Sequence, residues 1–301
     1  KPMRLKSREC VGGSLYKLSF EMPVGFACGL MPGQHVKLAV PNMSRGSKTW
    51  NGHENLEEEA EEISRSYTPI SPPEASCIEV LVKHYEHDVS RGFPQGGRAS
   101  KYLIGNAKIG DNILASGPHG HRIYFGNGYF EVMVGQPRLR PRKCAFLAGG
   151  SGITPAISVI REVQAETRRK NNAAEAWRML DWENGIELES IEVLHVNRMT
   201  TDALPLTFYE DPCQPTQLIP ISVRNLITGP EQEKDEDTNA KNNADINNED
   251  ACSTWNIANA KLTKEAIIEA FHAPADDMLV IVCGPSRFVS EVCQPLLAEI
   301  G

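Results

Sequence analysis

One heptapeptide organises this chain: Arg65-Ser66-Tyr67-Thr68-Pro69-Ile70-Ser71. In a β-strand Arg65 and Tyr67 lie on the same face, because successive side chains alternate between the two faces. Such a face offers a fixed cation to a phosphate and a flat ring to another flat molecule, and Thr68 adds a neutral donor and acceptor. Phosphate, ring and polar edge are the three parts of a flavin dinucleotide. An ordinary half-buried strand carries the same residues, so the later motifs decide between the two interpretations.

The length and composition are those of a globular protein with room for two cores. The chain has 301 residues, and no apolar run is long enough to span a bilayer. No secretory signal pattern opens the sequence. Because it begins at Lys1 rather than methionine, a preceding membrane anchor outside this chain stays open.

The eight cysteines show no C-x-x-C spacing. They predict reduced, mostly structural thiols and no metal site. Reduced thiols suit a cytosol-facing compartment.

The formal net charge of −8 is concentrated in two acidic segments. Glu54–Glu62 contains six glutamates and no basic residue, and Glu231–Asp250 contains eight acids against two lysines. Without these segments the remaining formal charge is +4. Such runs are typical of solvated loops, so we expect disordered acidic insertions at about 43–63 and 230–252. The folded body is then mildly basic, and we expect no nucleic-acid partner.

Short alternating runs, separated by glycine and proline turns, fill the first part of the chain. Strands are predicted within Leu5–Ser19, for Gln34–Val40, through the Arg65 heptapeptide and for Ile78–Tyr85. A series of short strands with such turns predicts a small antiparallel β-barrel.

A second candidate site follows at Gly96-Gly97-Arg98-Ala99-Ser100-Lys101-Tyr102-Leu103. The glycines let backbone N–H groups approach a ligand closely. We predict Ser100 as the N-cap of a short helix from Lys101 to about Asn106. Free amides at a helix start, together with Arg98, favour an anion site. A glycine loop that only caps a structural helix is the alternative.

The pattern changes after the basic linker Gln136–Lys143. Cys144–Ala148 is a continuous apolar run, typical of a strand buried on both faces. Gly149-Gly150-Ser151-Gly152 then leads into a helix, with Thr154 as its N-cap and Pro155 in first position. Strand, glycine turn and helix form the phosphate-binding unit of a nucleotide-binding α/β domain, although this segment is not a G-x-G-x-x-G.

Strands and helices alternate through the rest of the chain, which predicts a parallel, doubly wound sheet. Ligands of such sheets bind at the carboxyl ends of the strands, where Gly150, Asn197 and Cys283 lie. The predicted strands are Ile191–Val196, Gln217–Val223 and Met278–Cys283, and the predicted helices are Asp202–Tyr209, Thr263–Phe271 and Ser286–Glu299.

Taken together, the motifs resemble those of the NADH–cytochrome b5 reductases, within the wider ferredoxin–NADP⁺ reductase-like flavoproteins. The resemblance implies an antiparallel β-barrel FAD-binding domain over residues 1–137, followed by an α/β doubly wound NAD-binding domain over residues 142–301. The matching segments keep the family's order along nearly the whole chain: Pro32–His35, Arg65–Ser71, Val82–Tyr85, Gly96–Leu103, Gly117-Pro118, Gly149–Pro155 and Cys283–Pro285.

The resemblance also implies roles for single residues on the FAD side. Arg65 would bind the FAD pyrophosphate, Tyr67 would lie against the flavin, and Thr68 would bond near flavin N5 as a catalytic residue. Gly97, Arg98 and Ser100 would hold the pyrophosphate with Arg65. The remaining implied FAD contacts are Ser66, Leu81, Lys83, Tyr85 and Ala99.

On the nucleotide side, the resemblance places Cys283 beside the nicotinamide ring as a second catalytic residue, with Gly284 and Pro285 shaping its surroundings. Gly150 and Thr154 would approach the nicotinamide nucleotide and the flavin. Asp202 aligns with an acid of the family that bonds a ribose and repels a 2′-phosphate, which favours NADH over NADPH.

The implied activity is hydride transfer from NADH to FAD, followed by single-electron transfer to a haem protein such as cytochrome b5. A mildly basic body would steer an acidic cytochrome. An anchor outside the chain would place the protein on the endoplasmic reticulum or mitochondrial outer membrane. Two alternatives stay open: a reductase module of a larger, nitrate reductase-like enzyme, and an FAD-binding protein without nucleotide turnover. The second is motivated by Ser286-Arg287-Phe288, which replaces a Pro-Pro-Met-like run of the family.

Overall fold

A computed structural model describes residues 1–22, 29–71, 75–90, 92–173, 188–210, 219–229, 252–257, 260–272 and 274–301. The described chain divides into two units. The first is Lys1–Leu139 with Thr154–Ala165, and the second is Arg140–Ile153 with Glu166–Gly301. The division after Leu139 lies inside the predicted linker, but the predicted domain ranges did not group Thr154–Ala165 with the first unit. The acidic insertion predicted at about 230–252 lies outside the described residues, apart from Cys252.

The first unit is an antiparallel sheet that closes on itself. Its six strands are ordered β6-β3-β8-β1-β2-β7. Pro69, just after β6, pairs with Val80 of β7, and the Ile70 amide donates to the Glu79 carbonyl at 2.8 Å. This pairing joins the two edge strands, which confirms the predicted barrel. The strands of the unit are β1 Pro2–Gly12, β2 Leu15–Glu21, β3 His35–Pro41, β4 Thr49–Trp50, β5 His53–Glu54, β6 Glu62–Tyr67, β7 Cys77–Lys83, β8 Asn112–His119, β9 Ile123–Gly126 and β10 Tyr129–Glu131.

Alternate residues of these strands fill the barrel. On β7, Ile78, Val80 and Val82 are at most 3% exposed and belong to one hydrophobic cluster. The period-2 pattern of the sequence therefore identified the buried face of this strand, because a strand presents every second side chain to the same side. Burying such aliphatic side chains stabilises the barrel by about 1.5–3 kcal/mol each.

The helix after Gly97 begins earlier than predicted. Its first part is α1, Arg98–Lys101, with Gly97 as the N-cap, and a π-helical turn over Tyr102–Asn106 follows. Ser100 therefore lies inside the helix, and the prediction that it is the N-cap was wrong. Its hydroxyl instead accepts a hydrogen bond from the Tyr85 amide at 3.4 Å.

The second unit is a parallel sheet with strand order β14-β13-β12-β11-β15. All four neighbouring pairs are parallel, which confirms the predicted α/β fold class. The residues of β11 from Cys144 to Ala148 are at most 2% exposed, as expected for a strand covered on both faces. The strands are β11 Lys143–Gly149, β12 Ser190–Asn197, β13 Ile221–Ile227, β14 Cys252–Ile257 and β15 Met278–Cys283, and the helices are α2 Thr154–Ala173, α3 Lys264–Phe271 and α4 Gln294–Ile300, the last preceded by a π-helical segment Phe288–Cys293.

Two predicted elements of this unit differ in the structure, and a proline explains each. The helix predicted for Asp202–Tyr209 is wrong: two short 3-10 turns lie on either side of Pro205. A proline inside a helix removes a hydrogen bond and clashes with the preceding turn. Strand β13 begins at Ile221, directly after Pro220, whereas the prediction began it at Gln217. Proline cannot donate to a strand ladder, so β13 starts after it.

The acidic segment 43–63 has defined structure, so its prediction as a disordered loop was wrong. Asn55 is 4% exposed, and its side-chain amide donates to the carbonyls of Ser44 at 3.0 Å and Ser47 at 2.8 Å. The Asn42 side chain donates to the Glu57 carbonyl at 2.7 Å. Short amide side chains stabilise turns by bonding to nearby backbone groups. These bonds order the segment despite its charge.

Among the described residues, Cys10, Cys77, Cys144 and Cys293 are free thiols, as predicted. Burial raises the pKa of the Cys144 thiol above its usual range and that of Cys293 to about 12. Both are therefore uncharged, structural thiols.

Candidate functional site

The heptapeptide places its cation and its ring on the inner side of β6. Arg65 and Tyr67 are half-buried, whereas Ser66 between them is exposed on the other face. Tyr67 packs against the barrel core, and burial raises the pKa of its phenol, which therefore stays protonated at neutral pH. Thr68 directly follows Tyr67, just after the end of β6, and is buried. The predicted arrangement of cation and ring on one face is present.

Arg65 and Arg98, which we call the arginine pair, meet on one carboxylate. Arg65 donates to Glu57 Oε1 at 2.9 Å and to Oε2 at 2.6 Å, a two-point contact. Arg98 Nη1 reaches the same Oε2 at 2.7 Å. The Arg65 hydrogen bonds hold the pKa of the Glu57 carboxyl below its usual range, and the same bonds raise the pKa of Arg65. The structure therefore brings together two predicted phosphate ligands that are 33 residues apart.

Glu57 was missed because it lies in an acidic run that resembles a solvated loop. The position of Glu57 is set by contacts between the acidic segment 43–63 and the Gly96-Gly97 turn. Trp50 Nε1 donates to the Gly96 carbonyl at 2.8 Å, and Asn51 Nδ2 donates to the same oxygen at 3.0 Å. The acidic segment is thus attached to the turn that precedes Arg98.

The Gly96-Gly97 turn packs tightly against Tyr85. The Gly97 amide donates to the Tyr85 carbonyl at 2.8 Å, and a β-carbon on Gly97 would lie 3.0 Å from Tyr85 Cβ and overlap Ser100 Oγ. A larger residue would push the turn away, so glycine is required by this close approach. Gly97 and Ser100 therefore contact Tyr85, in addition to their predicted role toward a phosphate.

Strand β7 and the residues just after it contain three further predicted FAD contacts: Leu81, Lys83 and Tyr85. Tyr85 lies two residues after β7 and packs against Phe93, with ring centroids 5.0 Å apart and ring planes tilted by 38°. Lys83 ends the strand and is half-buried, whereas Leu81 is 2% exposed on the face opposite Val80 and Val82. Ala99, another predicted contact, is buried in the barrel cluster. In the structure, Leu81 and Ala99 are therefore buried side chains that pack within the first unit.

These residues fit a flavin dinucleotide by the chemistry of their donors. Two guanidinium groups converge on a single anionic group, which is the geometry that recognises phosphate oxygens. The neutral phenol of Tyr67 and the hydroxyl of Thr68 lie in the same segment as Arg65. The first unit therefore carries a cation pair and a ring suited to the phosphate and flavin parts of FAD.

In the second unit, the glycine turn and the Cys283 motif lie side by side. Strands β11 and β15 are adjacent and parallel, with Ala148 opposite Cys283. A β-carbon on Gly152 would lie 2.6 Å from the carbonyl carbon of Cys283. The Phe288 ring would be 2.7 Å from a β-carbon on either Gly149 or Gly284. The carboxyl ends of these two strands thus bring the Gly149–Gly152 turn against Cys283 and Gly284.

A buried histidine supports the glycine turn, and the sequence analysis did not assign it. His195 of β12 is 0% exposed, and its Nε2 donates to the Gly150 carbonyl at 2.8 Å. Asn197 Nδ2 donates to His195 Nδ1 at 3.2 Å, which fits the neutral tautomer with its proton on Nε2. The sequence signal that could have identified this residue is a histidine within an otherwise apolar predicted strand.

Four further residues complete the description. Asp202 lies in a 3-10 turn after β12 and is 3% exposed, and Pro285 follows Gly284 before the terminal helix. Thr154 begins α2 and is buried. Within the first unit, Arg161 of α2 donates to the Ile70 carbonyl at 2.6 Å, a contact that the sequence did not predict.

Family models and curated relatives match this arrangement. Residues 52–124 match the model described as oxidoreductase FAD-binding domain, and residues 142–295 match the ferric reductase NAD binding domain. The NADH-cytochrome b5 reductase 2 of Gallus gallus is 27% identical over 100% of this chain and 82% of its own length. The NADH-cytochrome b5 reductase 3 of Mus musculus is 26% identical over 100% of this chain and 83% of its own.

Solved structures share the fold. The cytochrome b5 reductase domain of Ulva prolifera nitrate reductase aligns with a TM-score of 0.65 and 18% identity, covering 100% of this chain and 93% of that domain. A ferredoxin NADP⁺ reductase from Neisseria gonorrhoeae with bound FAD and NADP aligns with a TM-score of 0.56 and 14% identity, covering 100% and 91%. At these identities the similarity concerns the fold.

Proposed function

Because the chain belongs to the NADH–cytochrome b5 reductase-like flavoproteins of the ferredoxin reductase-like superfamily, we propose that it oxidises NADH through FAD and passes single electrons to a b5-like haem protein. It is an oxidoreductase with an FAD-binding and an NAD-binding domain. The observation that carries the assignment is the convergence of Arg65 and Arg98 on one anionic group beside the Tyr67 strand.

The first unit's own residues bind and orient the flavin dinucleotide. The arginine pair supplies charge-assisted hydrogen bonds to the pyrophosphate, and rigid attachment of Arg65 to β6 fixes where that phosphate lies. The Tyr67 ring gives the flavin an apolar surface, and Thr68 offers a hydroxyl at the end of the strand. FAD, when bound, supplies hydride acceptance and one-electron release.

The second unit's residues hold the nicotinamide nucleotide. The Gly149–Gly152 turn permits close backbone approach at the carboxyl end of β11, and His195 fixes the Gly150 carbonyl within that turn. Cys283, Gly284 and Pro285 end the neighbouring strand beside it. Holding the reactants in a defined geometry accounts for a large part of the rate in such transfers. NADH is the nucleotide, and Asp202 is the residue that we propose to reject a 2′-phosphate.

The proposed b5-like haem partner is supported by the names of the curated relatives. Because the acidic segment 43–63 is part of the folded first unit, the formal charge outside Glu231–Asp250 is −2 and not +4, so the net charge does not by itself attract an acidic acceptor. In the described ranges, every helix is too short or too polar to span a bilayer. Attachment to the endoplasmic reticulum or the mitochondrial outer membrane through a segment outside this chain, facing the cytosol, stays a prediction.

An absorption spectrum of the pure protein tests the proposal. The protein, reconstituted with FAD, should show a flavin band that NADH bleaches within seconds under anaerobic conditions, and cytochrome b5 should then be reduced. NADPH should bleach the band much more slowly. A protein that takes up no FAD would contradict the assignment.

One alternative predicts another result in the same experiment, and the other needs a second observation. An FAD-binding protein without nucleotide turnover would keep its flavin band after NADH, and the Phe288 ring close to Gly149 and Gly284 is the feature that motivates this alternative. A reductase module of a nitrate reductase-like enzyme would bleach equally, and the gene sequence around this chain would identify it. The curated relatives favour the cytochrome b5 reductase activity.

A further inference from the structure

The strongest unassigned feature is the carboxylate that occupies the arginine pair. Glu57 makes three contacts of 2.6–2.9 Å with Arg65 and Arg98, the two cations proposed for the FAD pyrophosphate. We propose that Glu57 is an internal substitute for that pyrophosphate, so that FAD binds by replacing the Glu57 carboxylate on the arginine pair. The inference rests on the proposed function, since it concerns the same phosphate site.

Charge balance argues that the carboxylate and the pyrophosphate exclude each other. The arginine pair carries two positive charges, and the FAD pyrophosphate carries two negative charges. With Glu57 still in place, the cluster of cations, carboxylate and pyrophosphate would have a net negative charge in a partly buried site, where uncompensated charge is costly. Without Glu57 the two cations and the pyrophosphate balance.

The local structure lets the side chain leave without unfolding its segment. The Glu57 backbone is held separately: Asn42 Nδ2 donates to its carbonyl at 2.7 Å, and its amide donates to Asn55 Oδ1 at 3.2 Å. Arg98 also keeps a bond to Asn55 Oδ1 at 2.8 Å. Rotation of the Glu57 side chain therefore breaks the contacts with the arginine pair, whereas the Asn42 and Asn55 bonds persist.

The opposite role would give the opposite result on mutation. If Glu57 instead aligned the two guanidinium groups for a phosphate bound beside it, its loss would weaken FAD binding. If it competes with the phosphate, its loss tightens binding. The Glu57→Gln substitution separates the two roles because it keeps the size of the side chain and removes its charge.

The experiment measures ligand binding by the apoprotein. FAD is titrated by quenching of flavin fluorescence, and inorganic pyrophosphate is titrated by calorimetry as a probe of the arginine pair alone. The variants are Glu57→Gln and Glu57→Ala, and the matched control is Glu59→Gln. Glu59 is an exposed glutamate of the same turn, so its substitution makes the same charge change away from the arginine pair.

We expect both Glu57 variants to bind FAD and pyrophosphate about fivefold more tightly than wild type, with Glu59→Gln unchanged. Equal or weaker binding by the Glu57 variants, or equal tightening by Glu59→Gln, would overturn the inference while leaving FAD binding intact. If no protein binds FAD, the proposed function fails. The pyrophosphate titration still decides in that case: tightening by Glu57→Gln supports the internal substitute, and its absence overturns it.

Discussion

Gly152 and the Cys283 carbonyl approach so closely that no side chain fits between them. A β-carbon on Gly152 would lie 2.6 Å from the Cys283 carbonyl carbon and 2.8 Å from Gly284 Cα. These are backbone atoms, which cannot rotate away as a flexible side chain can. The glycine turn after β11 and the end of β15 are therefore fitted to each other at this point.

We expect Gly152→Ala to lower the stability of the protein by about 1–3 kcal/mol, the usual cost of overpacking. It should also weaken NADH binding, because the turn must shift. Thermal unfolding and NADH titration measure the two effects. The control is Gly105→Ala, since a β-carbon at Gly105 meets nothing within 4 Å. Unchanged stability of Gly152→Ala would contradict the close approach.

Removal of the Arg65 cation should reduce flavin occupancy. A hydrogen bond to a charged group is worth roughly 1.5–3 kcal/mol, so Arg65→Ala should weaken FAD binding about 10- to 150-fold. The flavin content of the purified protein and the FAD dissociation constant are the measurements. Arg45→Ala is the matched control, because Arg45 is exposed and pairs with Glu61 at 3.2 Å. Full flavin content in Arg65→Ala would remove Arg65 from the site.

Cys283 is predicted to act on hydride transfer and not on FAD retention. Cys283→Ala should slow the reduction of bound flavin by NADH about tenfold or more, because small errors of placement are costly in such transfers. Flavin content should not change. Stopped-flow bleaching of the flavin band measures the rate, with the exposed Cys10→Ala as the control. Equal rates in the wild type and Cys283→Ala would exclude a catalytic role.

His195 is predicted to be a positioning residue of the glycine turn. His195→Leu leaves the partly buried Gly150 carbonyl without this donor, which should cost about 1 kcal/mol of stability. It should raise KM for NADH more than it lowers kcat. His195→Gln, which keeps a side-chain N–H, should recover part of both. Lost stability with unchanged KM would indicate a purely structural residue.

The Glu57 ion pair should make the stability of the apoprotein depend on pH. The folded-state pKa of Glu57 is lowered, first by hydrogen bonding to Arg65. The stabilisation is therefore present above the unfolded pKa and is lost as the pH falls through the folded value. Because the pair is about one-third exposed, we expect wild type to exceed Glu57→Gln by no more than about 1 kcal/mol at pH 7.

Denaturant unfolding of both apoproteins at a series of pH values tests this. The difference should begin to shrink as the pH falls below the ordinary glutamate pKa of about 4.3, which applies to the unfolded chain, and should vanish once the folded carboxylate is protonated at lower pH. A difference that stays constant from pH 7 to pH 3 would show that the Glu57–Arg65 pair does not contribute. Loss of apoprotein stability together with tighter FAD binding would distinguish Glu57 from an ordinary structural ion pair.

Elements with a strong local pattern were predicted well. The predictions were good for the alternation on β7, the apolar run of β11 and the bounds of β15. In each strand the order of apolar and polar residues depends on which faces are buried, and that order can be read directly from the sequence. The order of motifs along the chain was sufficient to suggest the family. The helix predicted for Asp202–Tyr209 failed where its own proline should have counted against it.

The sequence by itself determined the two kinds of sheet, the cation and ring on one face of β6, and the glycine turn after β11. These follow from side-chain period and backbone preference, which act over a few residues. Only the tertiary structure decided that Glu57 meets Arg65 and Arg98, that His195 bonds Gly150, and that Gly152 abuts Cys283. Each of these pairs is brought together by strand pairing or by turns held through asparagine side chains, so its distance is a property of the folded chain.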